Sequence, residues 1–94
     1  MEVYAIHEDS HGLIGICATA PRAIVNFLVD TNWINEKYKI FIEKFQQWVS
    51  LRSYFGENWI ERLCEMTMDE LEAIFEDAFY FEKFYVYDVP QEEV

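Results

Sequence analysis

The spacing of apolar and polar positions changes period several times along this chain, and each change marks an element. Residues 2–8 alternate weakly and hold the β-formers Val3, Tyr4 and Ile6. A second apolar run, residues 13–19, places Ile14, Ile16 and Ala18 on one face and Leu13, Gly15 and Cys17 on the other. Between the runs stands Asp9-Ser10-His11-Gly12, with Asp first and Gly fourth as a type I turn prefers. The two runs therefore predict a β-hairpin. It is polar mainly at its tip, so at least one of its faces must be covered.

The period then lengthens to that of a helix. Thr19 is the expected N-cap, with Pro21 in the first turn where its missing N–H costs little. Ala23, Ile24, Phe27 and Leu28 form the apolar stripe, and the helix should stop near Thr31-Asn32. Trp33 and Ile34 should fold back onto the core. Residues 35–42 carry two patterns at once. Tyr38, Ile40 and Ile42 alternate as in a strand, whereas Phe41, Phe45, Trp48 and Val49 recur as on a helix. The longer pattern favours a helix from about residue 40 to 54, ended by Gly56 in a left-handed cap, with residues 35–39 as loop.

Two short amphipathic helices follow, separated by Met66-Thr67. Glu57, Glu61 and Glu65 fall at i, i+4 and i+8 on one face of the first, and Trp59, Ile60, Leu63 and Cys64 take another. In the second, Leu71, Ile74, Phe75 and Ala78 form the stripe, while Asp69, Glu72 and Glu76 form an acidic one. Thr67 and Glu70 have the spacing of a capping box. This helix should run to about Ala78. Residues 81–89 read as a strand, with Phe84 and Val86 on one face and Tyr85, Tyr87 and Val89 on the other, ended by Pro90. The order ββααααβ predicts an α+β fold: a three-stranded antiparallel sheet with about four helices on one face. The last strand should pair beside the first. Residues 1–94 make one domain, with 90–94 a frayed tail.

Composition narrows the function. The apolar fraction of 52% excludes disorder for most of the chain. Aromatics at 18% exceed what a small core absorbs, so some must lie at a surface. The net charge is −11, and its distribution matters more than its size. Residues 1–56 sum to −1, whereas residues 57–94 sum to −10. Such a surface repels nucleic acid and anionic membrane, and it favours a basic partner. No apolar run approaches the roughly 20 residues that span a bilayer. Two cysteines and an opening that enters a strand pattern directly lead to the expectation of a cytoplasmic protein without a signal peptide.

Candidate chemistry is sparse. His7-Glu8-Asp9-Ser10-His11 is the one metal-like cluster, with Cys17 a third potential ligand. Its spacing matches no zinc pattern, and Asp9 and Ser10 are better read as bonding the loop backbone. Cys17 and Cys64 both lie among apolar residues, the common setting of a structural cysteine. The three glycines, Gly12, Gly15 and Gly56, form no phosphate loop. The reading is therefore of a non-enzymatic protein without cofactor or metal.

The opening EVYAIHEDSHGLIGICATAPRAIVNFLVDTNWI, together with FGENWIERL and MTMDELEAIFEDAFYFEKFYVYDV, is similar to small proteins encoded by phages and prophages of Gram-positive bacteria. In that group a strand, an E-x-S-H-G-type turn, an I-G-type strand and an A-x-x-F-L helix ending in W-I recur. The resemblance spans nearly the whole chain apart from residues 35–47. It implies a mobile-element origin and carries no assigned activity. Small acidic phage proteins include anti-CRISPR proteins and other mimics of DNA. By that analogy the acidic residues Glu57, Glu61, Glu65, Asp69, Glu72 and Glu76 are expected to bind a basic host protein, such as a CRISPR-associated nuclease, in the bacterial cytoplasm. Carboxylates four residues apart on a helix lie about 6 Å apart along its axis, comparable with successive phosphates of a nucleic-acid strand. The alternative is a homodimer or other homo-oligomer, structural or regulatory, assembled through the C-terminal strand at Tyr85 and Tyr87, since tyrosine combines apolar area with a polar tip.

Overall fold

A computed structural model describes residues 2–86. The main sheet has three antiparallel strands: β1 (Glu2–Glu8) at the centre, β2 (Gly12–Ala18) on one side and β5 (Phe79–Tyr85) on the other. The C-terminal strand does pair beside the first. Between β2 and β5 run α1 (Pro21–Asp30), a second, two-stranded sheet of β3 (Lys39–Ile42) and β4 (Gln47–Ser50), α2 (Leu51–Phe55), α3 (Trp59–Cys64) and α4 (Met68–Phe75). The class is α+β with four helices, as expected. The simple ββααααβ order is broken by the added hairpin.

That hairpin replaces most of the expected helix over residues 40–54. Ile40 pairs with Val49 and Phe41 with Trp48, so alternation wins over helical spacing. Ile40 is buried, while Phe41, Phe45 and Trp48 face outward. A helix here would have had to bury those three large rings together. The strand buries the β-branched Ile40 and partly buries Ile42, and leaves Phe41 and Trp48 to meet edge-on across the strands at 5.4 Å. The turn closes with Gln46 at φ +52°, its side-chain amide donating to the Glu43 carbonyl at 2.8 Å. Helix begins only at Leu51, after Ser50 caps the Ser53 N–H at 3.1 Å. Gly56 does terminate it, at φ +90° and ψ −164°, an extended mirror conformation rather than a left-handed helical one.

Four local expectations are changed. In the β1–β2 hairpin the turn starts at Glu8: the His11 N–H donates to the Glu8 carbonyl at 3.1 Å, and Gly12 follows at φ +75°. A type I turn followed by a left-handed residue is the usual three-residue connection. The loop backbone is bonded by the Glu8 carboxylate, which accepts from Ser10 N–H and His11 N–H at 2.9 Å each, and not by Asp9 or Ser10. A bulge between Ile6 and His7 shifts the register at Ile14. Leu13 then faces outward beside His7, and Ile14 packs against the core, reversing their expected faces. The N-cap of α1 is Ala20, without a side-chain bond, so Thr19 does not cap it.

The rest follows the pattern closely. Trp33 and Ile34 both donate their N–H to the Leu28 carbonyl, which closes α1 and brings Ile34 into the core. The α4 capping box is complete: Glu70 N–H donates to Thr67 Oγ1 at 3.2 Å and Thr67 N–H to Glu70 Oε1 at 2.9 Å. α4 ends at Phe75, short of Ala78, because the chain turns at residues 76–78 into a strand that starts at Phe79 instead of residue 81. Ile6, Ile24, Leu28, Leu51, Leu63, Leu71 and Phe75 are the heart of the core, between the sheet and the helices. Tyr87, Val89 and the expected tail lie outside the described residues.

Candidate partner-binding site

The six acids singled out by spacing do not form one stripe. Glu57 lies in the turn before α3 and Glu65 at its C-cap, so only Glu61 sits within that helix. Glu61 pairs with Arg22 of α1 at 3.0 Å, and Glu57 approaches Arg52 at 3.6 Å. Arg22 also feels Glu65, and Glu61 beside it holds its guanidinium above the ordinary arginine range. The α3 side is thus a mixed-charge surface, where exposed pairs contribute about 0–1 kcal/mol each. The α4 half differs. Asp69, Glu72 and Glu76 are all exposed and none lies in an ion pair among the described residues.

The tertiary structure adds acids that spacing along one helix could not. At the C-terminal end of α4 an open groove of about 340 Å³ is lined by His7, Glu8, Asp9, Glu76, Asp77 and Glu82, with Phe79 and Tyr80 in its floor. A second hollow of similar volume adjoins it, sharing Glu76, Phe79 and Tyr80 and adding Glu72. These acids come from the β1–β2 hairpin, α4, the turn after it and β5. Among the described residues no Lys or Arg lines either hollow. The last turn of α4 carries no basic residue, so the negative end of its dipole adds to the same field.

Tyr80 is the residue the sequence reading missed. Its side chain is 62% exposed beside the acids. Its ring lies 5.6 Å from that of His7, and His7 Nε2 lies 3.2 Å from Glu82. The signal was present: Phe79 and Phe81 both turn inward, so alternation sends Tyr80 and Glu82 out. A carboxylate-lined groove with an exposed phenol ring suits guanidinium or ammonium groups, which bond the acids and can lie on the ring face. Of the two tyrosines expected at an interface, Tyr85 is exposed at the far end of β5 and is not among the residues lining either hollow. Tyr87 falls outside the described residues.

The histidines and cysteines are dispersed. His11 Nδ1 lies 2.6 Å from Glu8, and its ring meets Trp33 edge-on at 5.1 Å. The hydrogen bond from His11 holds the Glu8 carboxyl below its usual range, aided by the two loop N–H groups. Cys17 packs against the core on the opposite sheet face from His7. Burial pushes the Cys17 and Cys64 thiols up, away from thiolate. Among the described residues no three of His, Cys, Asp and Glu are grouped so as to hold a metal ion. No described helix is long and apolar enough to cross a membrane. No protein-family model matches the chain, and neither a curated protein nor a solved structure shows significant similarity to it.

Proposed function

We propose that this chain is a non-enzymatic, mobile-element protein that inhibits a host nucleic-acid-binding defence protein by filling its basic groove. The observation that supports this most is the convergence of Glu8, Asp9, Glu72, Glu76, Asp77 and Glu82 around an exposed Tyr80, with no Lys or Arg in the lining among the described residues. A groove that binds nucleic acid offers the complementary set, Arg and Lys for phosphates and flat groups for bases. The carboxylates take the place of phosphates and Tyr80 that of a base. Glu57 and Glu61, already paired with arginines, contribute little to this field.

The test is capture of the target from a bacterial lysate, followed by binding measurements with the variant Glu72→Gln, Glu76→Gln, Asp77→Asn. At about 0.2–1 kcal/mol for each exposed pair, the three changes together should weaken binding by roughly 3- to 150-fold. Most of the loss should lie in the association rate. Wild-type affinity should fall as salt rises, and nucleic acid should compete. A triple variant that binds and inhibits like the wild type, without salt dependence or competition, overturns the proposal.

A further inference from the structure

The helices cover only one side of the main sheet. The other face carries Val3, Ala5 and His7 on β1, Leu13, Ile16 and Ala18 on β2, and Tyr80, Glu82 and Phe84 on β5; on the central strand Val3 and Ala5 are buried, and exposure is found on the flanking strands. A solvent-facing antiparallel sheet face is ordinarily polar, yet the only His, Asp, Glu, Lys or Arg among these positions are His7 and Glu82, which lie together. Leu13 and Ile16, at 57% and 56% exposure, carry this apolar surface to the rim of β2. There β2 is an edge strand, and among the described residues no strand pairs its outer side. Residues 10–21, which contain it, are the longest stretch of the chain without Asp, Glu, Lys or Arg. Edge strands are normally protected by charge or proline. The opposite edge, β5, carries Glu82 and Lys83, whereas β2 reads GLIGICA.

We infer that β2 pairs with β2 of a second copy, antiparallel about a two-fold axis, to make one continuous six-stranded sheet. The occupant follows from charge and symmetry. Two molecules of net charge −11 repel almost everywhere, and only an uncharged border lets them meet without juxtaposing carboxylates. A strand edge turned about a two-fold axis presents its own N–H and C=O groups in complementary order. Ile16 and Leu13 of each copy then extend one apolar strip across the junction. Phe27 already occupies the inner side of Gly15, where an added β-carbon would run into its ring, so α1 is seated on the sheet and pairing needs no rearrangement there. No β2 residue lines the acidic groove, although His7, Tyr80 and Glu82 of that groove share this sheet face.

Sedimentation equilibrium of the full chain across a concentration series tests the inference. The expected mass is twice the 11.3 kDa of the chain. Ile16→Lys, at an exposed position, should return it to a monomer with an unchanged circular dichroism spectrum, and Tyr85→Asp should leave the dimer intact. Amide exchange gives a second readout on the unaltered protein: β2 amides should gain protection as concentration rises. A wild-type monomer throughout, a dimer that survives Ile16→Lys, or one lost through Tyr85→Asp overturns the assignment. So does β2 protection that does not depend on concentration.

Discussion

Replacing Thr67 by Ala removes the hydroxyl that accepts from the Glu70 N–H at 3.2 Å. It also leaves the Glu70 carboxylate, which takes the Thr67 N–H at 2.9 Å, without its reciprocal partner. α4 has only eight residues and carries Glu72 of the second hollow, with Glu76 of both hollows at its C-cap. Loss of a Thr N-cap costs about 1 kcal/mol. For a domain of this size that lowers the melting temperature by about 4–8 °C. With a urea dependence of about 1–3 kcal/mol per molar, the midpoint moves by about 0.3–1 M. Glu70→Ala should cost a similar amount, since it removes the other bond and a favourable charge at the positive end of the helix dipole. Because the two bonds form one closed pair, the double variant should lose less than the sum, with a coupling of about 0.5 kcal/mol or more. Thr67→Ser should retain nearly full stability. Urea titrations of the four proteins decide it. Additivity within about 0.3 kcal/mol, or no loss in Thr67→Ala, would refute the cooperative box.

Two other changes probe the hairpin tip and the core. Because the Glu8 carboxyl is held below its usual range in the fold, its contribution is full above the unfolded glutamate value of about 4.3 and is lost as pH falls through the lower folded value; the stability gap between wild type and Glu8→Gln should therefore narrow on acidification, and a gap that widens would contradict the geometry. Phe75 is buried edge-on to Phe79 at 5.8 Å and to Tyr38 at 5.9 Å, so Phe75→Ala should cost about 3–5 kcal/mol, a large part of a total near 5–15 kcal/mol, and a urea-measured loss below about 1 kcal/mol would place the core elsewhere.

Local signals carried the first hairpin, α1, the folding back of Trp33 and Ile34, the capping box of α4 and the place of the last strand. Each rests on bonds or contacts between residues close in sequence, or on a period repeated long enough to leave one solution. The Thr67–Glu70 box is the clearest case, because its partners are three residues apart and need nothing else of the fold. The charge imbalance between residues 1–56 and 57–94 was likewise fixed by composition alone.

Tertiary structure decided the rest. Residues 39–50 satisfy both a helical and a strand pattern, and only the space beside α4 and α2 determines that Ile40, rather than Phe41, Phe45 and Trp48, goes inward. A one-residue bulge opposite Ile6 exchanged the faces of Leu13 and Ile14, because each residue of offset reverses a strand's side chains. The acidic site was only half visible. Glu72 and Glu76 are helix neighbours and could be read together, but Glu8, Asp9, Glu82 and Tyr80 join them solely because β5 lies beside β1. Glu61, in turn, lost its claim to a free acidic face to Arg22, 39 residues earlier in α1, and Glu57 lost its own to Arg52 in the preceding helix. Periodicity fixes which side of an element a residue occupies; which cation or carboxylate faces it there depends on the packing of elements far apart in the chain.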